Sequence, residues 1–554
     1  MFKKKIMYLL LTMILMLIVG CSQGSGPVKS GDGVKILGTV TYDRVHGSLD
    51  RYGLVKLDYA NSEKSTIKHA VIKALDKNEQ VLYETTSDEN GAYVVYVPKN
   101  LDVKIRVYAR MYQENKWDVS VVDNTQLKAM YVIEGNYHDS GDKTMIRDLH
   151  ASSGWGGSGY SGERDAAPFA ILDSVYMAMA KVIDSNSRVV FPQLTVNWST
   201  QNVAAPGDKS LGQIITSNYD GESNLWILGD ENADTDEYDD HIIIHEWGHF
   251  FEDKFSRSDS IGGPHSAGDS LDIRLAFGEG WGNALSAIVT DNPLYFDTSG
   301  HHQEIGWAMN IESATPDNPG WFSEASVQRI LYDLYDSTNE GSDNIGLGFT
   351  PLYYAMIDKE RNSAAFTSIF TFIDALKKEN PSQTYQIDQV VASERISTIT
   401  DIYGSYRTNS ANGAFTQPIY RNLEVGRWIT QCNQNTFGVY NKLGNRTFIK
   451  VHITTAGIYN FSAEQYGGTY GDPDIVMYKA VYPFKSMGMS PLEGSNSDTL
   501  SLSLTPGDYV VEVYDASFNN SCFVIKLNIE SGTYTPRSMM KSTRHRKPKR
   551  MPQY

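Results

Sequence analysis

Cysteine is scarce in this chain: 554 residues carry 3, at Cys21, Cys432 and Cys522. They form no cluster, so neither a thiolate metal site nor a cysteine nucleophile is indicated. Basic charge is in deficit. Lys and Arg number 49 against 66 Asp and Glu, a net charge of -17 with a pI near 5.2. That balance argues against nucleic acid as a partner. The acidic excess is spread along the chain, as on the solvated surface of an envelope protein. The apolar run from Ile6 to Val19 falls short of the ~20 residues that cross a bilayer comfortably. What is plentiful is length, enough for several domains, and tyrosine, which fits β-rich extracellular modules.

Lys3, Lys4 and Lys5 precede the apolar run, and Gly20-Cys21 follows it. Positive, apolar and then small is the order of a secretory signal, so residues 1–20 read as a signal peptide. Ile18-Val19-Gly20-Cys21 resembles the bacterial lipobox. The resemblance implies lipidation of Cys21, attachment to the membrane by an N-terminal lipid, and a place in the bacterial envelope at the outer membrane or cell surface. Residues 21–33, rich in Ser and Gly, read as the tether. In an oxidising compartment Cys432 and Cys522 can pair as a disulfide.

The chemistry gathers at His245-Glu246-Trp247-Gly248-His249. Residues four apart share a helix face, so both imidazoles can reach one metal ion, with Glu246 beside them to take a proton from water. Zinc there lowers the pKa of bound water toward neutrality. Tyr238 to Phe255 reads as one helix, apolar on most sides through Ile242, Ile243, Ile244, Trp247, Phe250, Phe251 and Phe255. Two histidines and a glutamate are costly in such a helix unless something binds them. The metzincin pattern fails, because its later Gly and His positions hold Glu252 and Phe255.

Glu279, in Phe277-Gly278-Glu279-Gly280-Trp281-Gly282-Asn283-Ala284, is the strongest third ligand. Here the sequence resembles the gluzincin metallopeptidases, in which a second helix supplies a glutamate to zinc. The resemblance implies His245, His249 and Glu279 as ligands and Glu246 as general base. It also implies Asn283, one turn after Glu279, as the acceptor that orients a zinc histidine. Gly280, Gly282 and Ala284 would let the two helices approach closely. Glu304, Glu312 and Glu324 are rival ligands outside such a small-residue setting. In that family the edge strand of a sheet holds extended substrate, and Asn224 to Leu228 is the candidate. Oxyanion stabilisation falls to His265, in the polar segment joining the two helices, or to Tyr332 or Tyr335 on a later helix.

The rest is punctuated by strands. Residues 34–110 alternate as strands, and Thr85 to Tyr93 resembles the tight turn of carboxypeptidase-regulatory-like β-sandwiches. Residues 111–144 read as a connector and 145–424 as the metallopeptidase domain. Residues 425–530 are β again: Asp472 to Tyr478 and Leu504 to Val513 resemble bacterial pre-peptidase C-terminal domains. Residues 531–554 are a basic tail, read as disordered. The fold class expected is therefore multidomain: an N-terminal β-sandwich, an α+β zincin-like catalytic domain and a C-terminal β-sandwich. The acidic run Asp230 to Asp240 lacks EF-hand spacing. It reads as a solvated loop favouring the next helix N-terminus, with a calcium site as the alternative.

The expected function is a lipid-anchored zinc (Zn2+) metalloendopeptidase acting on protein or peptide. The rival is an adhesin-like binding lipoprotein on an inactive peptidase scaffold, against which an intact Glu246 argues. Structural zinc is weaker still, since three protein ligands leave a position open.

Overall fold

The computed structural model describes residues 33–313, 316–338, 344–405, 419–490 and 493–530. The signal segment, Cys21 and the basic tail lie outside them. The chain builds two compact units and passes between them more than once. Residues 33–41, 66–108 and 132–150 belong to the first; residues 42–65, 109–131 and those from 151 onward belong to the second. The stretch expected as a connector is thus divided, and strand pairing is the reason. Val132–Glu134 pairs antiparallel with Arg106 to Tyr108, whereas Ala129–Met130 pairs with Val122 and Asp123.

In the first unit, Val34 to Thr39 runs antiparallel to Ala92–Val97. Met145–Ile146 lies parallel on the other edge of the same strand. Ala70–Asp76 pairs with Val81–Thr86 as a hairpin. The turn anticipated at Asp88 to Gly91 is closed by Asp88, whose Oδ1 accepts from the backbone N–H groups of Asn90 and Ala92, each at 2.9 Å.

The second unit holds the helices. They are α1 (Ala167–Ser185), α2 (Asp240–Phe255), α3 (Ile273–Thr290), α4 (Glu324–Tyr335), α5 (Phe349–Tyr354), α6 (Ile369–Glu379) and α7 (Thr384–Ser393). The apolar residues of α3 occur on every side, and every residue from Ile273 to Ile288 is buried, as expected of a central helix. Before α2, Leu194–Trp198 lies parallel to Trp117–Asp123 on one side and to Asn224–Ile227 on the other. Asn224–Ile227 is not the free edge that was expected. Asn218–Tyr219 covers it in antiparallel register, Tyr219 opposite Leu225.

The C-terminal part of this unit is a β-sandwich. One sheet orders Tyr420–Asn422, Arg446–Ile453, Gly507–Asp515, Pro473–Lys479 and Ser486–Met489; the other orders Trp428–Cys432, Ser521–Ile529, Gly457–Gly468 and Ser497–Leu504. Alternate residues of both sheets, among them Ile449, Val451, Phe461, Ile475, Val511 and Phe523, close one core between them. Cys432 and Cys522 face each other across an antiparallel pair and are joined as a disulfide. Among the described residues, no helix is long and apolar enough to cross a membrane.

Candidate metal centre

Helices α2 and α3 meet where the side chains of α3 are smallest. A Cβ on Gly282 would stand 2.9 Å from the His245 ring, and one on Gly280 would stand 2.5 Å from Val327 of α4. Glycine at these two positions is what lets α3 lie against both neighbours. The contact brings His245, His249 and Glu279 together, their ligating atoms all within 4.8 Å of one another. His245 Nε2 and His249 Nε2 are 3.0 Å apart. Glu279 Oε2 lies 3.2 Å from the first and 3.4 Å from the second. A tetrahedral zinc with bonds of about 2.0–2.1 Å sets its donors about 3.3 Å apart, so this donor set fits zinc in chemistry and in spacing.

The ring of His245 is fixed from behind. Its Nδ1 lies 2.8 Å from Asn283 Oδ1, and the Asn283 amide NH2 donates to Gln328 Oε1 at 2.9 Å. With its NH2 so engaged, Asn283 turns its oxygen to His245. Nδ1 then carries the ring proton, and the Nε2 lone pair points at the cluster.

Glu246 is half-buried next to these three residues. Its Oε2 accepts the Tyr219 backbone N–H at 2.8 Å. Burial pushes its carboxyl up to about 7, with the neighbouring His245 opposing that rise. Glu279 behaves oppositely. Burial alone would raise it, yet His249, His265 and His245 together hold it well below the usual carboxylate range.

His265 reaches the cluster from the segment between α2 and α3. Its Nε2 lies 3.3 Å from Glu279 Oε2 and 3.5 Å from Glu324 Oε2. Burial works against its charge, but the two carboxylates prevail and raise it to about 10. Glu324 is therefore a neighbour of His265 and not one of the three grouped ligands. Glu304 and Glu312 are outside that group as well. Tyr335 is not brought to the site: its hydroxyl bonds Asp291 and accepts from Lys181 Nζ. Helices α3 and α4 run side by side, with Asn283 beside Gln328 and Asp291 beside Tyr335. Tyr332 accordingly lies one turn beyond Gln328, farther from the ligands. His241, one turn before His245, is buried with its Nε2 near Asn292 O and Thr290 Oγ1, a helix-end role.

The acidic run before α2 is not a solvated loop. Asp236, Glu237 and Asp239 are buried. Arg164 pairs with Glu237 and donates to Gly229 O at 2.7 Å, and Thr298 donates to Asp239 Oδ2 through N–H and hydroxyl. Asp234, Asp236 and Asp297 form a second group whose carboxylate oxygens lie within 4.8 Å of one another.

Two partners of the centre were missed from sequence. Tyr219 had a signal, since Asp220-Gly221 just after it marks a hairpin turn that folds Asn218–Tyr219 back along Asn224–Ile227. Gln328 had none, because only the packing of α4 on α3 brings it to Asn283.

Residues 186–393, which include α2, α3 and α4, match the family model described as the mycolysin C-terminal domain. The match relates this stretch of the chain to the metallopeptidases. No curated protein matches the chain. Among solved structures it is similar to the precursor of protealysin, a metalloproteinase from Serratia proteamaculans. That likeness has 9% identity and a TM-score of 0.31, over 52% of this chain and 88% of that one. It is also similar to the pre-peptidase C-terminal domain of collagenase from Bacillus anthracis, with 12% identity and a TM-score of 0.17, over 20% of this chain and 93% of that one.

Proposed function

We propose that the chain is a zinc-dependent endopeptidase held at the bacterial envelope by a lipid on Cys21. The observation that carries the catalytic reading is the convergence of His245, His249 and Glu279 within 4.8 Å, with Glu246 half-buried beside them. The family match over residues 186–393 supports it, and Ile18 to Cys21 supports the anchor.

His245 Nε2, His249 Nε2 and Glu279 Oε2 would hold the ion. Zinc bound there supplies a Lewis acid and makes its water acidic enough to react near neutral pH. The chain supplies the rest. Glu246 has one oxygen engaged by Tyr219 and the other to accept a proton from the attacking water and deliver it to the leaving amine. His265 has its Nδ1 3.1 Å from Gly263 O and its Nε2 facing both Glu279 and Glu324, so as an imidazolium it would stabilise the developing oxyanion by turning its Nε2–H from those carboxylates to it. Substrate would be protein or peptide.

Two substitutions separate binding from chemistry. Glu246→Gln keeps shape and removes the base, so zinc should stay while peptide hydrolysis falls by roughly a hundredfold or more. Glu279→Ala removes a ligand, so zinc affinity and turnover should fall together. Zinc stoichiometry and turnover on both variants decide it. Wild-type cleavage by Glu246→Gln would overturn Glu246 as the base, whereas a wild type that binds zinc but cleaves no peptide would end the peptidase reading and leave a binding scaffold.

A further inference from the structure

The segment that carries His265 is tied down by polar contacts. Gly262 and Gly263 take φ of +62° and +97°. The anchors come from the far end of the chain, in the loop 438–445 of the C-terminal sandwich. Asn441 is 1% exposed, and its Nδ2 donates to both Gly262 O at 3.0 Å and Pro264 O at 3.2 Å. The Tyr440 hydroxyl donates to Ile261 O at 3.1 Å. Lys442 Nζ donates to Pro264 O at 2.7 Å and pairs with Asp269 at 3.2 Å. Backbone bonds continue the seam: Asp272 N–H donates to Asn441 O and Leu443 N–H to Ser270 O, both at 2.9 Å. A Cβ on Gly263 would come 2.7 Å from the Tyr440 ring and 3.0 Å from Asn441 Nδ2. The glycine is thus seated against the clamp.

We infer that the loop Tyr440-Asn441-Lys442 of the C-terminal sandwich is a working part of the active centre, a clamp that holds the Ile261 to His265 segment so that the His265 ring stays against Glu279 and Glu324. This rests on the peptidase reading for its catalytic consequence, but the clamp itself does not. The three residues bond the segment's backbone rather than a zinc ligand, so they are positioning residues. They act on the group of the centre that no helix holds, since His245, His249, Glu246 and Glu279 are all on α2 and α3. Carbonyls dominate the segment's side of the seam, and an amide donor at position 441 satisfies two of them at once. An acceptor-only side chain of the same shape would face those carbonyls with like partial charge.

The test uses the full chain loaded with zinc, the variants Asn441→Asp and Tyr440→Phe, and denatured casein as substrate. Tyr440→Phe removes one hydroxyl and no packing, so it guards against a misfolded Asn441→Asp. Both variants should bind about one zinc per chain with affinity within about twofold of wild type, because the ligands lie on α2 and α3. Amide exchange across residues 260–266 should rise roughly fivefold or more, the weight of one lost hydrogen bond, with α2 unchanged. kcat should fall with little change in KM, and in a His265→Ala background Asn441→Asp should cost nothing further. Unchanged exchange in 260–266, or losses that add in the double variant, would overturn the clamp. A wild type that cleaves no casein would overturn the peptidase reading alone, because the exchange arm decides the clamp without turnover.

Discussion

Asparagine at position 283 poses a problem that a carboxylate would not. A carboxylate offers only acceptors to the His245 Nδ1–H, whereas an amide can present either its oxygen or its NH2. Gln328 resolves this. Its Oε1 accepts from Asn283 Nδ2, and its own Nε2 faces Met309 Sδ at 3.5 Å, a group that can only accept. The polarity then runs one way, from His245 Nδ1–H to Asn283 Oδ1, and leaves Nε2 for the metal. Gln328→Leu should lower zinc affinity by about tenfold or more, the usual scale for losing a group behind a ligand. Gln328→Glu should retain most of the affinity, because a carboxylate can still accept from Asn283. In an Asn283→Asp background Gln328→Leu should do little, since the carboxylate of that variant can present only acceptors whatever its neighbour. Chelator competition on these variants is the measurement. Equal losses in both backgrounds would assign Gln328 to packing and leave the ring proton without this control. That His245 and His249 share a helix face was legible in the sequence from i, i+4 geometry alone, whereas Glu279, on α3, was suggested only by the family resemblance. Gln328 and the clamp were not, because they come to the site across 45 and 179 residues of chain.

Long helices with a clear apolar period were also legible. The expected helix Tyr238 to Phe255 compares with Asp240–Phe255 in the structure. Where the sequence misled, a local polar partner had intervened. The apolar residues Ala365 and Phe366 precede α6, yet the helix begins only at Ile369, because Ser368 and Thr371 cap each other's backbone and Arg257 occupies the carbonyls of Ser363 and Ala365. Residues 213–217 form an irregular bend, in which Gln213 bridges Val203 and Ser217 bonds Asp236. The acidic turn before α2 is the largest such case. Burial pushes Asp234 up to about 7, with Asp297 adding to the rise; Asp236 and Asp239 are raised for the same reasons. The folded state therefore holds protons that the unfolded chain has released. The stability linked to them is present below about pH 4 and is lost as pH rises toward about 7. A divalent cation between Asp234, Asp236 and Asp297 would replace those protons, and calcium's preference for carboxylate oxygen suits the set. Calcium should raise the melting temperature at about pH 8 and change it little at about pH 5. Asp236→Asn should abolish that difference. Melting curves that ignore calcium at both pH values would show that protons alone hold the cluster.

The C-terminal sandwich is joined to α3 by more than the loop 438–445. Arg274, in the first turn of α3, is buried and donates to Asp272 at 2.8 Å and to Glu512 of the sandwich at 2.9 Å. Arg446 reaches the same Glu512 oxygen at 2.6 Å, and the Tyr478 hydroxyl donates to its other oxygen at 3.1 Å. The rings of Phe366 and Phe448 lie under the Arg274 guanidinium at 4.6 Å and 4.9 Å. Burial alone would raise Glu512, but Arg274 and Arg446 outweigh it and hold the carboxyl at about 2. A depressed carboxyl contributes stability that is present above the unfolded value near 4.5 and lost as pH falls through about 2. Glu512→Ala would leave two buried guanidinium groups short of a counter-charge, a loss of about 3–5 kcal/mol. Because one end of the network is the helix that carries Glu279, the sandwich and the helical region should melt as one transition in the wild type. In Glu512→Ala that transition should fall in temperature or divide in two, with α2 and α3 exchanging amide protons earlier than the sandwich core. Calorimetry with hydrogen exchange on both proteins is the measurement. Two independent transitions in the wild type would make the sandwich an appendage, and the Arg274–Glu512 pair would then be a contact without a mechanical role.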